Sequence, residues 1–290
     1  MIVTRFAPSP TGYLHRGHAF SAFVAWQAAR AAGGRFLLRL EDIDPTRCRD
    51  VYRQAILDDL TWLGLAWDGE VRAQAHHFDA YAEALARLER LGVLYPCFCT
   101  RKDIAAEVMR AGHAPHVGET LPYPGTCRAL PPETQRARRA DGAPFCWRLD
   151  SARALAMTGP LFFEDRRFGR LAVDPSVVGD PVLARKETPA SYHLCVTVDD
   201  ALQGVTLVTR GEDLLPATHT HRLLQALLDL PTPLYAHHPL LLDATGEKLS
   251  KRKDSETLRT LRAQGIAPET VLAPFRGALS TLTSSQERRG

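Results

Sequence analysis

The chain has 290 residues, 45% of them hydrophobic and 24% charged. That is ordinary for a soluble globular protein and ample for a large core. A formal charge of +3 permits contact with nucleic acid without arguing for it, since that argument needs basic residues on one face. No stretch approaches the roughly 18 uncharged apolar residues of a membrane span, so no membrane partner is expected. The N-terminus meets Arg5 and Pro8 before any long apolar run, so no signal peptide is expected. Six scattered cysteines fit a reduced, cytoplasmic protein better than a disulfide framework.

In chain order, Ile2 to Phe6 predicts a short strand stopped by Pro8 and Pro10. His18 to Ala32 carries Ala19, Phe20, Phe23, Val24 and Trp26 among good helix formers and ends at Gly33-Gly34, the pattern of an amphipathic helix with a glycine stop. Arg35 to Leu40 predicts a second strand. Strand, helix and strand within about forty residues make a βαβ unit, hence a parallel sheet with a nucleotide-binding edge. Residues 49–65 and 77–92 predict two more helices. Between about 95 and 190, prolines at 115, 122, 124, 131 and 132 and a cysteine cluster suggest an insertion between two halves of the fold. Tyr192–Val198 and Val205–Thr209 are apolar and rich in β-branched residues, which predicts strands, and a helix follows around 217–229. After Asp254 too little chain remains for another domain of ordinary size.

Two motifs carry chemistry. His15 and His18 are three apart, with Gly17 between them, at a loop-to-helix transition, so both imidazoles share one face of the first turn. A helix N-terminus favours an anion, because unpaired N–H groups and the dipole both point at it. Gly17 removes a side chain where a nucleotide needs close approach to the backbone. Far downstream, Lys248 and Lys251 follow Gly246 in a polar stretch. Two lysines there can neutralise charge building on an α-phosphate and pyrophosphate during in-line displacement. Either motif alone is commonplace, a pair of capping histidines or a solvated lysine face; together they are specific.

With Arg5-Phe6-Ala7-Pro8-Ser9-Pro10-Thr11-Gly12, His15-Arg16-Gly17-His18, Glu41-Asp42-Ile43-Asp44, Tyr192, Arg210-Gly211-Glu212-Asp213-Leu214 and Lys248-Leu249-Ser250-Lys251-Arg252 in this order, the chain resembles class I aminoacyl-tRNA synthetases of the glutamyl type over most of residues 1–255. The resemblance implies an α/β fold: a Rossmann-type parallel sheet with an inserted zinc-containing subdomain and a short C-terminal helical segment. It divides the chain into a first catalytic half (1–94), an acceptor-like insertion (95–190), a second catalytic half (191–235), and a lysine loop with C-terminal helices and no anticodon-binding domain (236–290). His15, His18, Lys248 and Lys251 are implied as catalytic, with His15, Gly17, His18 and Lys251 on ATP. Arg5, Ala7, Ser9, Glu41, Tyr192 and Arg210 are implied to hold glutamate, the arginines on its carboxylates and Glu41 on its ammonium. Arginine suits a carboxylate because its planar fork binds both oxygens. Val196 departs from the pattern: full-length glutamyl enzymes would be expected to carry asparagine there, which suggests a paralogue with a differently built pocket.

Cys97, Cys99 and Cys127 could hold a zinc ion tetrahedrally given a fourth ligand. The residues alone favour His113 or His116; the resemblance implies Tyr123, because short glutamyl-type paralogues carry a Cys-x-Cys…Tyr-x3-Cys site. Cys48, Cys146 and Cys195 lack partners at useful spacing and read as packing residues. The resemblance to those paralogues implies that ATP, Mg²⁺ and L-glutamate give glutamyl-adenylate without tRNA, and that the glutamyl group passes to the queuosine base of tRNA(Asp). A monomer is expected. The alternatives are a minimal synthetase charging a tRNA 3′ end, a small-molecule nucleotidylyltransferase, and an inactive tRNA-binding module. Arg128, Arg136, Arg138 and Arg139 suit tRNA phosphates or a solvated helix face equally well.

Overall fold

The computed structural model describes residues 1–100, 102–104, 106, 123–177, 179–185, 188–241, 256–277 and 282. The first half runs β1 (Val3–Phe6), α1 (Arg16–Ala31), β2 (Arg35–Leu40), α2 (Asp50–Trp62), β3 (Arg72–Ala73), α3 (Phe78–Arg90) and β4 (Leu94–Cys97). Next come α4 (Pro132–Ala140), β5 (Cys146–Leu149), α5 (Ser151–Thr158), β6 (Phe162–Asp165), β7 (Gly169–Ala172) and β8 (Val182–Ala184). The remainder is α6 (Tyr192–Leu202), β9 (Leu207–Gly211), α7 (Leu215–Leu227), β10 (Leu234–His238), α8 (Leu258–Ala263) and α9 (Pro268–Leu272).

The βαβ unit forms as its pattern requires. Helix α1 buries Ala19, Phe20, Phe23, Val24 and Ala28 against the sheet. It closes in a Schellman turn, with Gly33 N–H on the Arg30 carbonyl, Gly34 N–H on the Ala29 carbonyl, and Gly33 at φ +58°. Gly34 is fixed by space instead: a Cβ there would lie 2.0 Å from the Ile2 carbonyl oxygen. β2 pairs in parallel with both β1 and β3, and β10 in parallel with both β9 and β6. β9 runs beside β1, since Thr206 N–H donates to the Val3 carbonyl and Val3 N–H to the Thr206 hydroxyl, both at 2.9 Å. The C-terminal ends of β1, β2 and β9 therefore open at one edge.

Residues 162–172, inside the 95–190 span, form a hairpin whose first strand pairs with β10. Leu149, Ala154, Phe163 and Leu183 share one core with Leu194, Val198 and Leu224. Tyr95, Cys97 and Cys127 form a separate small cluster, next to the antiparallel sheet of β4, β5 and β8.

One expected strand is a helix. Tyr192–Val198 carries β-branched Val196, Thr197 and Val198, yet lies in α6. Burial overrides propensity here: Leu194, Cys195 and Val198 pack in the core, the Thr197 hydroxyl donates back to the His193 carbonyl at 2.8 Å, and Gly204 at φ +63° follows the helix end. Val205–Thr209 does extend into β9, and the helix expected at 217–229 is α7.

Candidate active site and cysteine cluster

A cavity of about 490 Å³ opens at the C-terminal edge of β1, β2 and β9. Arg5, Ala7, Ser9, His15, Gly17, His18, Glu41, Tyr192 and Arg210 all line it. Lys248 and Lys251 lie outside the described residues, as do His113 and His116.

His15 is the N-cap of α1, and the two histidines satisfy its first turn reciprocally. Gly17 N–H donates to His15 Nδ1 at 3.1 Å, and His15 N–H donates to His18 Nδ1 at 3.2 Å. Both Nδ1 atoms are acceptors, so each neutral ring carries its proton on Nε2. A capping role and an anion-binding role are compatible: the backbone bonds to both Nδ1 atoms set the tautomer with Nε2–H as each ring's donor, at a helix N-terminus whose dipole favours an anion.

The strand ends hold a dense charge network. Arg5 grips Asp200 with Nε at 2.9 Å and Nη2 at 3.3 Å. The fully buried Arg39 meets the same carboxylate at 2.8 Å and approaches Asp199 at 3.8 Å and Glu41 at 3.6 Å. Arg5 thus reaches the cavity with its fork already matched by an acid. Burial holds the Glu41 carboxyl up at about 7, against the pull of Arg39 and Arg5.

Arg210 differs. Its Nε donates to His237 Nε2 at 3.1 Å, Nη1 to the Tyr192 hydroxyl and His221 Nδ1 at 3.2 Å each, and Nη2 to the Thr218 hydroxyl at 2.6 Å. No carboxylate among the described residues lies within ion-pair distance of it. Burial, followed by the Arg210 charge, lowers the titration of His221 well below the ordinary histidine range and that of His193 to about 4. His237 is lowered chiefly by burial and donates Nδ1–H to Asp165 at 2.6 Å. The guanidinium is therefore held by neutral acceptors, and its charge is left for an anion in the cavity.

The residues that build this electrostatics were not singled out in the sequence: Arg39, Asp199, Asp200, Thr218, His193, His221 and His237. The signal for two of them was Asp199-Asp200 inside an apolar run. Once that run is a helix, Tyr192, Val196 and the two acids fall on neighbouring turns of one face.

In the cysteine cluster, the Cys97, Cys99 and Cys127 sulfurs all lie within 4.8 Å of one another, with Cys99 to Cys127 at 3.4 Å. Three sulfurs on a tetrahedral zinc at about 2.3 Å would sit roughly 3.8 Å apart, so the donor set fits a zinc ion. The Tyr123 hydroxyl lies 3.9 Å from Cys99 Sγ and accepts the Cys127 N–H at 2.7 Å. Cys146 is not partnerless as its spacing suggested: the β4–β5 register sets it directly opposite Cys97. Spacing along the chain cannot show a cross-strand neighbour. Cys195 is fully buried in the core.

The parallel α/β sheet thus carries a histidine-capped helix at its open edge with an acid–arginine pocket beside it. The family model for class I tRNA synthetases (E and Q), catalytic domain, matches residues 1–287, and the chain belongs to that family. It is 46% identical over 283 residues to a glutamyl-Q tRNA(Asp) synthetase of Rhodobacter capsulatus, covering 93% of this chain and 98% of that one. A glutamate–tRNA ligase of Aquifex aeolicus is 39% identical, across 93% of this chain and 55% of the ligase. A solved glutamate–tRNA synthetase from Elizabethkingia anophelis superposes with a TM-score of 0.79 at 26% identity, covering 94% of this chain and 61% of that one. No described helix is long and apolar enough to cross a membrane.

Glu41 supplies a pH-dependent prediction. An ammonium group binds the carboxylate, not the acid, so if Glu41 takes the substrate ammonium, as the family resemblance implies, amine affinity should grow as pH rises through about 7. The KM for glutamate should fall by up to about tenfold per pH unit as pH rises towards that value. In Glu41→Gln it should be flat over the same range and higher by about 10–100-fold, the worth of a charge-assisted hydrogen bond. Steady-state kinetics between pH 6 and 8, roughly one unit either side, checks this; a variant retaining the wild-type slope removes Glu41 from amine recognition.

Proposed function

We propose that the chain activates L-glutamate with ATP, independently of tRNA, and transfers it to the queuosine base in the anticodon of tRNA(Asp). The observation that carries the activation step is one cavity that joins Arg210, which has no acid partner among the described residues, to Glu41 and the His15–His18 helix cap. In this reading Arg210 and the Tyr192 hydroxyl take the side-chain carboxylate and Glu41 takes the ammonium. A glutamate α-carboxylate oxygen attacks the α-phosphorus of ATP, the bond to the β-phosphate breaks, and pyrophosphate leaves. The Nε2–H groups of His15 and His18 donate to phosphate oxygens as negative charge builds. Mg²⁺ enters on the ATP phosphates and belongs to that substrate. A hydroxyl of the queuosine cyclopentene-diol then attacks the adenylate carbonyl and AMP departs.

The acceptor is supported by the Rhodobacter capsulatus relative, matched over 98% of its length. A second reading, charging of a tRNA 3′ end, draws on the 39% identity to the Aquifex aeolicus ligase. Glutamate-dependent ATP–pyrophosphate exchange, with and without tRNA and with glutamine and aspartate as controls, separates them. Exchange with glutamate alone is expected. Exchange only with tRNA would favour the second reading. No exchange would leave a different nucleotidyl transfer or an inactive binding module.

Cys97, Cys99, Cys127 and Tyr123 would hold one structural zinc, which takes no part in adenylation. Chelation should lower the melting temperature while the ATP affinity of the remaining folded protein changes little. Elemental analysis of fresh protein reads the same proposal directly, and finding no zinc would end it. The protein is further read as a cytoplasmic monomer with the four-part division given above.

A further inference from the structure

We propose that the face formed by Phe98, Phe145 and Trp147 is a stacking site for one unpaired nucleotide of the RNA substrate, separate from the catalytic cavity. The proposal rests on the RNA-acceptor reading and adds where a nucleotide other than the reacting one is held. A second cavity of about 410 Å³ lies here, with Phe145, Trp147 and Arg139 in its wall. The rings are half-buried and mutually packed: Phe145 meets Trp147 edge to face at 5.2 Å and Phe98 at 5.9 Å. Arginines interleave with them. The Arg139 guanidinium lies 4.7 Å from the Trp147 ring centre and 5.4 Å from that of Phe145, and Arg138 lies 5.5 Å from that of Phe98.

Basic side chains predominate around these rings, with Glu133 and Asp141 at the two ends of α4. Arg136, Arg138 and Arg185 are exposed, and no described carboxylate lies within ion-pair distance of them. Arg139 has only the exposed Glu89, at 3.4 Å. An apolar slot walled by aromatic rings and rimmed with guanidinium groups, of which Arg139 alone meets a described carboxylate, complements a base bearing a phosphate. The base stacks on a ring or a guanidinium plane while neighbouring arginines take the backbone charge. A solvated helix face would need none of the aromatic rings.

Position gives the site its purpose. Pro189 in this second cavity precedes Tyr192 of the catalytic cavity by three residues, at most about 11 Å of chain. The two cavities therefore share one stretch of wall, so an RNA loop reaching the catalytic cavity can place a second nucleotide in this one. Seating a neighbour outside the stack helps to keep the reacting base unstacked.

The test uses the full-length protein and a fluorophore-labelled, unmodified RNA stem–loop with a single-stranded loop. Trp147→Ala and Arg139→Ala should each weaken stem–loop binding by about fivefold or more while leaving glutamate-dependent ATP–pyrophosphate exchange unchanged. Stem–loop RNA should quench tryptophan fluorescence in the wild type, and Trp147→Phe, which keeps a ring and the fold, should lose that component while binding nearly normally. Wild-type affinity in the alanine variants would overturn the proposal, as would quenching that persists in Trp147→Phe or a wild type that does not bind the stem–loop. Stem–loop binding through Trp147, with no glutamate transferred to a queuosine-bearing version of the same stem–loop, would sink only the queuosine reading.

Discussion

Replacing Arg210 with glutamine should lower kcat/KM for glutamate by on the order of 10²–10³-fold, with the KM for ATP almost unchanged. The size follows from the partners. Truncating one member of a buried, hydrogen-bonded charge pair typically costs about 2–5 kcal/mol. Arg210 is the pocket cation whose bonds all run to neutral groups: two imidazoles, a phenol and a threonine hydroxyl. Arg5 and Arg39, by contrast, converge on Asp200, which they draw below the usual carboxylate range even though burial pushes it upward. Losing Arg210 therefore removes charge that a substrate carboxylate would otherwise meet. Arg210→Lys keeps the charge but not the fork, and should fall between the two. Discrimination against glutamine should shrink in both variants. Melting temperatures recorded alongside separate a lost substrate contact from a collapsed network. A folded Arg210→Gln protein with normal glutamate kinetics would assign the carboxylate to another group.

The legible part of this molecule is local. The strand–helix–strand opening could be read residue by residue because its signals are near neighbours in sequence: the prolines after β1, the apolar stripe of α1, and Gly33-Gly34 as the stop. The cavity lining was legible through the glutamyl-type motifs, and the described residues singled out for glutamate and ATP gather in one place. The environment of those residues was not legible. Asp200 meets Arg5 from a helix nearly two hundred positions away, and no periodicity announces such a pairing. The same limit hid the histidines behind Arg210, which come from α6, α7 and β10, and Cys146, which meets Cys97 only across a strand pair. The one element misread, α6, failed because β-branched residues favour strands on a half-exposed surface, while a buried helix tolerates them when its contacts are good enough.

Replacing Lys251 with alanine should slow glutamate-dependent ATP–pyrophosphate exchange by about 3 kcal/mol, on the order of 10²-fold, without altering the melting temperature. Residues 242–255 lie outside the described residues, but both of their flanks are placed. On one side Leu240 and Leu241 line the catalytic cavity. On the other, Glu256 approaches Arg16 at 3.8 Å, Thr257 bridges His15, and Leu258 N–H donates to the Leu14 carbonyl at 2.8 Å. The described residues on either side of this segment thus lie at the cavity and at the helix cap that carries the histidines. Lys251 is five residues from Glu256, and chain length alone keeps its Cα within about 18 Å of it. In the proposed mechanism a lysine of this segment would follow the charge that moves onto the leaving pyrophosphate, a task the neutral histidines of the cap would perform only as hydrogen-bond donors. That division predicts a signature beyond the rate. The KM for ATP should change less than kcat, because the contact strengthens as the bond to pyrophosphate breaks. A loss confined to KM would make Lys251 a ground-state binder, and full activity would remove it from the mechanism.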